Sequence, residues 1–235
     1  MYFVSYDTSL YINIALGIVR SAAADQTTCS MIATNSVAIS KFQFACSMGN
    51  IQAVYRFFAE GQDPNEASVH GSTGLMGACM NNHFNLVKYL VGRGAIVNAA
   101  DSDGYTALMA AISLGRLHIS QVLCESGADV NAVDDHGSTA LMEASEEGHL
   151  AIVRYLTEQG ADLFARHQGG RTALALAIEF DHIAVAAYLK AEGNWQRRRS
   201  YAFVLRSIKN DVSSGRALLE VLLSEDMKRE IGSFL

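Results

Sequence analysis

A period of 33 residues limits what this chain can fold into more than any other feature of it. Thr73, Thr106, Thr139 and Thr172 stand 33 apart, and so do Gly61, Gly94, Gly127, Gly160 and Gly193. Ala45, Ala78, Ala111, Ala144 and Ala177 form a second ladder, and Phe57, Leu90, Leu123, Leu156 and Leu189 a third. Phe42 takes the slot held further on by Leu75, Leu108, Leu141 and Leu174. Self-similarity at this spacing signals stacked units, none of which can bury its own apolar side chains alone.

Within one unit the apolar spacing is helical. Leu108, Ala111 and Ile112 make one short stripe, and Ile119, Val122 and Leu123 make a second. Gly115 lies between them and supplies the backbone freedom that reverses the chain. Thr106 precedes the first stripe, where its hydroxyl can cap orphan amides. Gly127 follows the second, where a left-handed residue ends a helix. The alanines let first helices approach one another, and the leucines fill the gap between layers.

The motifs that carry a family resemblance are G-x-T-A-L-M at Gly104–Met109, Gly115, the run through Leu123, and S-G-A-D-V-N-A at Ser126–Ala132. Together they resemble the ankyrin repeat. The resemblance implies an all-α ankyrin-repeat solenoid of helix-turn-helix units joined by hairpin loops. Five units are expected, at about 37–67, 68–100, 101–133, 134–166 and 167–193, the first degenerate, with helical N- and C-terminal caps. The family's T-P-L-H is altered throughout. Gly74, Ala107, Ala140 and Ala173 replace the Pro that presets the first helical turn. Met76, Met109, Met142 and Ala175 replace the His, so apolar packing is expected in place of its hydrogen bonds.

In ankyrin-like stacks the hairpin tips and the ends of the first helices line a concave surface that binds other proteins. By register the tip residues are Val69, His70 and Ser72, then Ser102, Asp103 and Tyr105, then Asp135, His136 and Ser138, then Gln168 and Arg171. The helix-end residues are Met80, Asn81, Ser113, Leu114, Glu146, Glu147, Glu179 and Phe180. Asp101, Asp103, Asp134, Asp135, Glu146 and Glu147 make the middle acidic, and Tyr105, Leu114 and Phe180 set apolar anchors within it. Aromatic anchors in a charged surround are the composition of a binding hot spot. The expected partner of this monomer is a protein offering a basic or mixed basic–apolar segment. In the competing reading the acidic residues only keep the stack soluble.

Charge and motifs narrow the function further. A net charge of −6 gives no attraction to nucleic acid or to an anionic membrane. No apolar run approaches the roughly 18 residues needed to span a bilayer. His83, His149 and His182 share one slot, and His70 and His136 another, so repetition explains them. None has metal-ligand spacing, and nucleophile elbows and phosphate-cradling glycine loops are missing. A non-enzymatic chain without catalytic residues, metal or cofactor is expected. Cys29, Cys46, Cys79 and Cys124 form no CxxC pair. Equivalent cysteines in stacked helices lie about 8–10 Å apart, beyond the roughly 7 Å limit for a disulfide. Reduced thiols in the cytoplasm are therefore expected. Arg197-Arg198-Arg199, after Trp195, reads either as a solvated face or as a nuclear-localisation or phosphate contact. Asn98 and Asn131 sit in V-N-A contexts like those hydroxylated in some ankyrin proteins; satisfying loop amides is the favoured reading.

The ends of the chain lack the period. Leu10–Val19 and the small residues after it suggest either a helix folded over the first unit or a signal peptide. The acidic Asp7 before the run and Arg20 after it favour the helix. Residues 194–235 hold helical stretches at Tyr201–Lys209, Gly215–Leu223 and Glu225–Leu235, read as an end cap. Leu222–Leu235 also resembles the first helix of an F-box, with Ser224 where the box carries Pro. That resemblance implies, as the alternative function, an adaptor that recruits substrates to a ubiquitin ligase.

Overall fold

A short helix, a tight reversal, a longer helix and a hairpin loop alternate through residues 40–194, the residues that the computed structural model describes. The first helices of the successive repeats are α1 (Lys41–Ser47), α3 (Gly74–Met80), α5 (Ala107–Ser113), α7 (Ala140–Glu146) and α9 (Ala173–Glu179). The second helices are α2 (Ile51–Ala59), α4 (Phe84–Gly92), α6 (Leu117–Glu125) and α8 (Leu150–Glu158), followed by helical residues 183–194, here α10. Helices of seven or nine residues are too short to persist alone in water. Packing has to hold them.

Their ends are set locally. Thr73, Thr106, Thr139 and Thr172 are the N-caps of α3, α5, α7 and α9, and each hydroxyl accepts the backbone amide three residues on, at 3.3–3.4 Å. Such a cap contributes about 0.5–2 kcal/mol. Gly127 and Gly160 end α6 and α8 with φ of +88°, as expected. Gly193 does not. It lies inside the helical residues 183–194, so the spacing continues there in sequence while the backbone role is lost.

By its internal contacts the chain divides at Ile96–Val97, so the described residues fall into 40–96, with α1–α4, and 97–194, with α5–α10. In the first unit α1 packs on α3. Phe42, Ala45 and Cys46 are buried, as are Leu75, Ala78 and Cys79. The approach is close enough that a Cβ at Gly74 would stand 2.9 Å from Cys46 Sγ. Phe42 meets Phe57 and Phe58 edge to face, and Tyr55 meets Tyr89 likewise. In the second unit α7 packs between α5 and α9. Ala111, Ala144 and Ala177 are 0% exposed, and Leu123, Leu156 and Leu189 are buried above them. The ladders loosen at their ends, where Phe57 and Leu174 are half-buried.

Two substitutions of the repeat pattern now have a physical account. Met109 and Met142 are fully buried, so apolar packing does replace the hydrogen-bonding side chain of that slot. The first repeat differs: Gln43 holds the slot, and its amide donates to Glu66 O at 3.1 Å and Ser72 O at 2.9 Å. The repeat that looks degenerate in sequence therefore keeps the polar tie to the adjacent hairpin. The asparagine slot is also explained. Asn98 donates to Gly127 O and accepts from Asp129 N, at 2.9 and 2.8 Å. Asn131 repeats both bonds with Gly160 and Asp162, and Asn65 does so with Gly94 and Ile96. Each amide staples one loop to the next, which is the loop-satisfying role expected for these residues.

The Leu10–Val19 run, Cys29, the arginine run at 197–199, and the Leu222–Leu235 segment with its F-box-like pattern lie outside the described residues. Among the described residues no helix is long and apolar enough to cross a membrane.

Candidate partner-binding groove

The second unit builds its surface from hairpins that the sequence closes locally. Asp101 accepts the amides of Asp103 and Tyr105, and Asp134 those of His136 and Ser138, at 2.7–3.0 Å. Asp134 is 5% exposed. The expectation that Asp134 belongs to the acidic surface is corrected by its burial, whereas Asp101 is half-buried; one oxygen of each carboxylate holds its turn. In the third hairpin His167 takes the same slot, with Nδ1 accepting Gly169 N at 2.7 Å.

Neighbouring tips are tied directly. Asp135 N donates to Asp103 O at 2.9 Å, and Gln168 N to His136 O at 2.8 Å. Gly104 makes the first of these contacts possible. Its φ is +76°, and a Cβ there would lie 3.0 Å from Asp134 Cα. The tips of the second unit thus form one hydrogen-bonded edge rather than three independent loops.

The expected site residues of this unit fall along that edge and the ends of α5, α7 and α9. Asp103, Asp135, His136 and Glu147 are exposed, while Tyr105, Ser113, Ser138 and Glu146 are half-buried. Leu114 is 38% exposed and Phe180 45%. Arg171 and Glu179 are both exposed, but they satisfy each other: the guanidinium holds both carboxylate oxygens, at 2.7 and 2.8 Å, and its Nε lies 2.9 Å from His167 Nε2. The α9 end of the surface is therefore locally neutral, and the uncompensated negative charge sits on the second hairpin and α7.

Glu143 was missed by sequence reasoning. It occupies an α7 position held elsewhere by Gly77, Ala110 and Leu176, which reads as packing. A charged residue in a slot otherwise held by small or apolar residues was the signal that could have found it. Burial pushes its carboxyl up to about 7, and the charges of Glu146, Asp134 and Glu147 push the same way. Glu146 is also raised, by burial first and by Glu147, with Arg171 opposing. Residues 97–194 hold fourteen acidic side chains against five basic ones, so there is little neighbouring positive charge to relieve this repulsion.

The first unit presents a different surface. His70 and Asn81 are exposed, and Ser72 and Met80 are half-buried. Asn81 donates to Gly77 O at 3.0 Å, and the Ser72 amide is held by Ser68 Oγ. Val69 is 72% exposed. None of the expected site residues here carries a carboxylate, so the acidic character belongs to the second unit.

The remaining chemical candidates have structural roles. His83 Nε2 lies 2.8 Å from Ser47 O, and His182 Nε2 2.7 Å from Glu146 O. Each ring covers a glycine of the preceding repeat: a Cβ at Gly49 or Gly148 would fall within 2.5 Å of it. Burial pushes the Cys46 thiol up to about 12 and raises Cys79 and Cys124 as well, so these free thiols are poor nucleophiles. Among the described residues no group of three or more His, Cys, Asp or Glu is placed to hold a metal ion. A family model for ankyrin repeats (3 copies) matches residues 42–134 and 127–198. No curated protein matches the chain.

Proposed function

The chain belongs to the ankyrin-repeat family, whose repeats generally mediate protein–protein contacts, and from that premise we propose that it is a non-enzymatic binding protein whose second unit grips a basic or mixed basic–apolar segment of another protein. One observation carries the reading. Glu143 on α7 is raised by its burial and by the charges of Glu146, Glu147 and Asp134, and Asp103 and Asp135 stand exposed on the adjoining tips, which are hydrogen-bonded to each other. Repulsion within that set raises the energy of the unbound surface, and an arriving Lys or Arg relieves it. Complementarity of this kind favours fast, salt-sensitive association and rejects acidic partners.

The test is fluorescence anisotropy with labelled peptides rich in Arg and aromatic residues, beside matched acidic peptides. Tyr105→Ala combined with Glu146→Lys/Glu147→Lys should weaken the basic peptides at least about tenfold, or 1.4 kcal/mol. Equal affinity for acidic and basic peptides, or no effect of the triple change, would exclude the groove. The second reading, recruitment to a ubiquitin ligase through Leu222–Leu235, rests on the pattern of that segment. It requires that deleting those residues abolish co-purification with cullin-type ligase subunits.

A further inference from the structure

The second helices of the first unit carry a cation–aromatic cluster that the other described repeats lack. Arg93, the C-cap of α4, places its Cζ 5.0 Å from the centre of the Phe58 ring and 5.9 Å from that of Tyr89. Phe58 and Tyr89 meet edge to face at 5.7 Å, and Tyr55 meets Tyr89 at 4.7 Å, so rings bridge α2 and α4 beneath the cation. Stacking uses the flat face of a guanidinium and leaves its fork of N–H donors free. Among the described residues the Arg93 fork has no hydrogen-bond or ion-pair partner. Arg93 is exposed, and so is Tyr55, at 41%. Stacking of the repeats does not call for this cluster. The slot of Arg93 holds Glu60, Ser126, Gln159 and Glu192 elsewhere, and that of Phe58 holds Val91, Cys124, Thr157 and Lys190. With their C-caps, α2 and α4 carry Arg56, Lys88 and Arg93 against Glu60 alone. None of the three cations is ion-paired among the described residues.

We propose that this face of α2 and α4 binds an acidic segment of a partner protein, one carboxylate entering the fork of Arg93 and an adjacent apolar side chain resting on Tyr55. The charge selects this occupant. Two carboxylate oxygens match the spacing of the guanidinium donors, and the rings beside them supply the apolar contact that accompanies a cation in a binding hot spot. Nucleic acid is a poorer occupant, because a polyphosphate meets the chain's net charge of −6. A second copy is poorer as well, because one arginine and its rings fall well short of the roughly 800 Å² per partner of a stable interface. This inference is independent of the acidic groove: it concerns residues 40–96 and asks for the opposite chemistry.

The test uses the full chain and fluorescence anisotropy of a labelled short peptide of Asp and Glu around one Leu, beside its Asn/Gln counterpart. The acidic peptide should bind and the neutral one should not. Arg93→Gln should weaken binding at least about tenfold, and Arg93→Lys should weaken it too, since it keeps the charge without the fork. Lys41→Gln removes the same charge from α1 and should leave binding unchanged. No preference for the acidic peptide, equal losses in Arg93→Gln and Lys41→Gln, or tighter binding of an oligothymidylate than of the peptide overturns the proposal. An independent measurement guards against a perturbed fold: on the natural chain, a photo-leucine at the peptide's Leu should crosslink within residues 51–93, and attachment only elsewhere overturns it equally. The comparison of acidic with basic peptides that tests the groove is made on the Arg93→Gln chain, where the groove alone is left to bind, so the two readings fail separately.

Discussion

Replacing Glu143 by Gln isolates the electrostatic cost of the groove in one atom exchange. The carboxyl is raised from 4.5 to about 7 by burial and by Glu146, Asp134 and Glu147. At 1.36 kcal/mol per pH unit of displacement, the ionised form costs the folded state about 3 kcal/mol. The sign follows from proton binding. Between pH 4.5 and 7 the folded chain holds a proton on Glu143 that the unfolded chain has released, so stability falls as pH rises through this window. Above it the full cost applies, and below it none. Glu143→Gln should therefore match the natural chain at pH 4.5 and be up to about 3 kcal/mol more stable at pH 8. At roughly 2–4 °C per kcal/mol for a domain of this size, that is a Tm difference of about 6–12 °C. Thermal unfolding followed by circular dichroism at both pH values measures it directly. A variant that gains equally at both, or is less stable at pH 8, would show that Glu143 is not held against its neighbours' charge. The gain in stability should come with weaker binding of basic peptides, the usual exchange where a site keeps unfavourable charge for its ligand.

Three further outcomes follow from the packing. Gly148→Ala forces a Cβ within 2.4 Å of the His182 ring at φ +73°; it should cost at least about 1–2 kcal/mol from the left-handed backbone alone. Adding His182→Ala should recover the steric part, and strictly additive urea-unfolding energies would refute the contact. Asn98→Ala removes both hydrogen bonds to the 127–129 loop, worth about 1–3 kcal/mol together, whereas Asn81→Ala, which loses one exposed bond within its own helix end, should cost much less. Cys46 and Cys79 should resist thiol-reactive dyes at pH 8 until denaturant opens the first unit, because burial holds both thiols protonated; rapid labelling of the folded chain would contradict their placement.

What repeats in this chain was legible from its residues alone. The Thr caps, the Ala and Leu ladders and the glycines at 127 and 160 act through their own helix or through an identical neighbour 33 residues away, so periodicity reports them. The proposed binding surface was read the same way, from register. What was not legible depends on contacts between unlike residues. Asp134 looks like surface charge until its burial in the turn is seen, and Arg171 looks available until Glu179 is found beside it. Glu143 reads as a packing position, yet its burial, joined by the charges of Glu146, Asp134 and Glu147, pushes its carboxyl up to about 7. Gln43 preserves a hydrogen bond that its divergent repeat seemed to have lost, and Gly193 keeps the spacing but not the turn. Side-chain environments arise from distances across repeats, and a linear pattern encodes spacing along the chain, so the tertiary structure alone decided which charges remain to meet a partner.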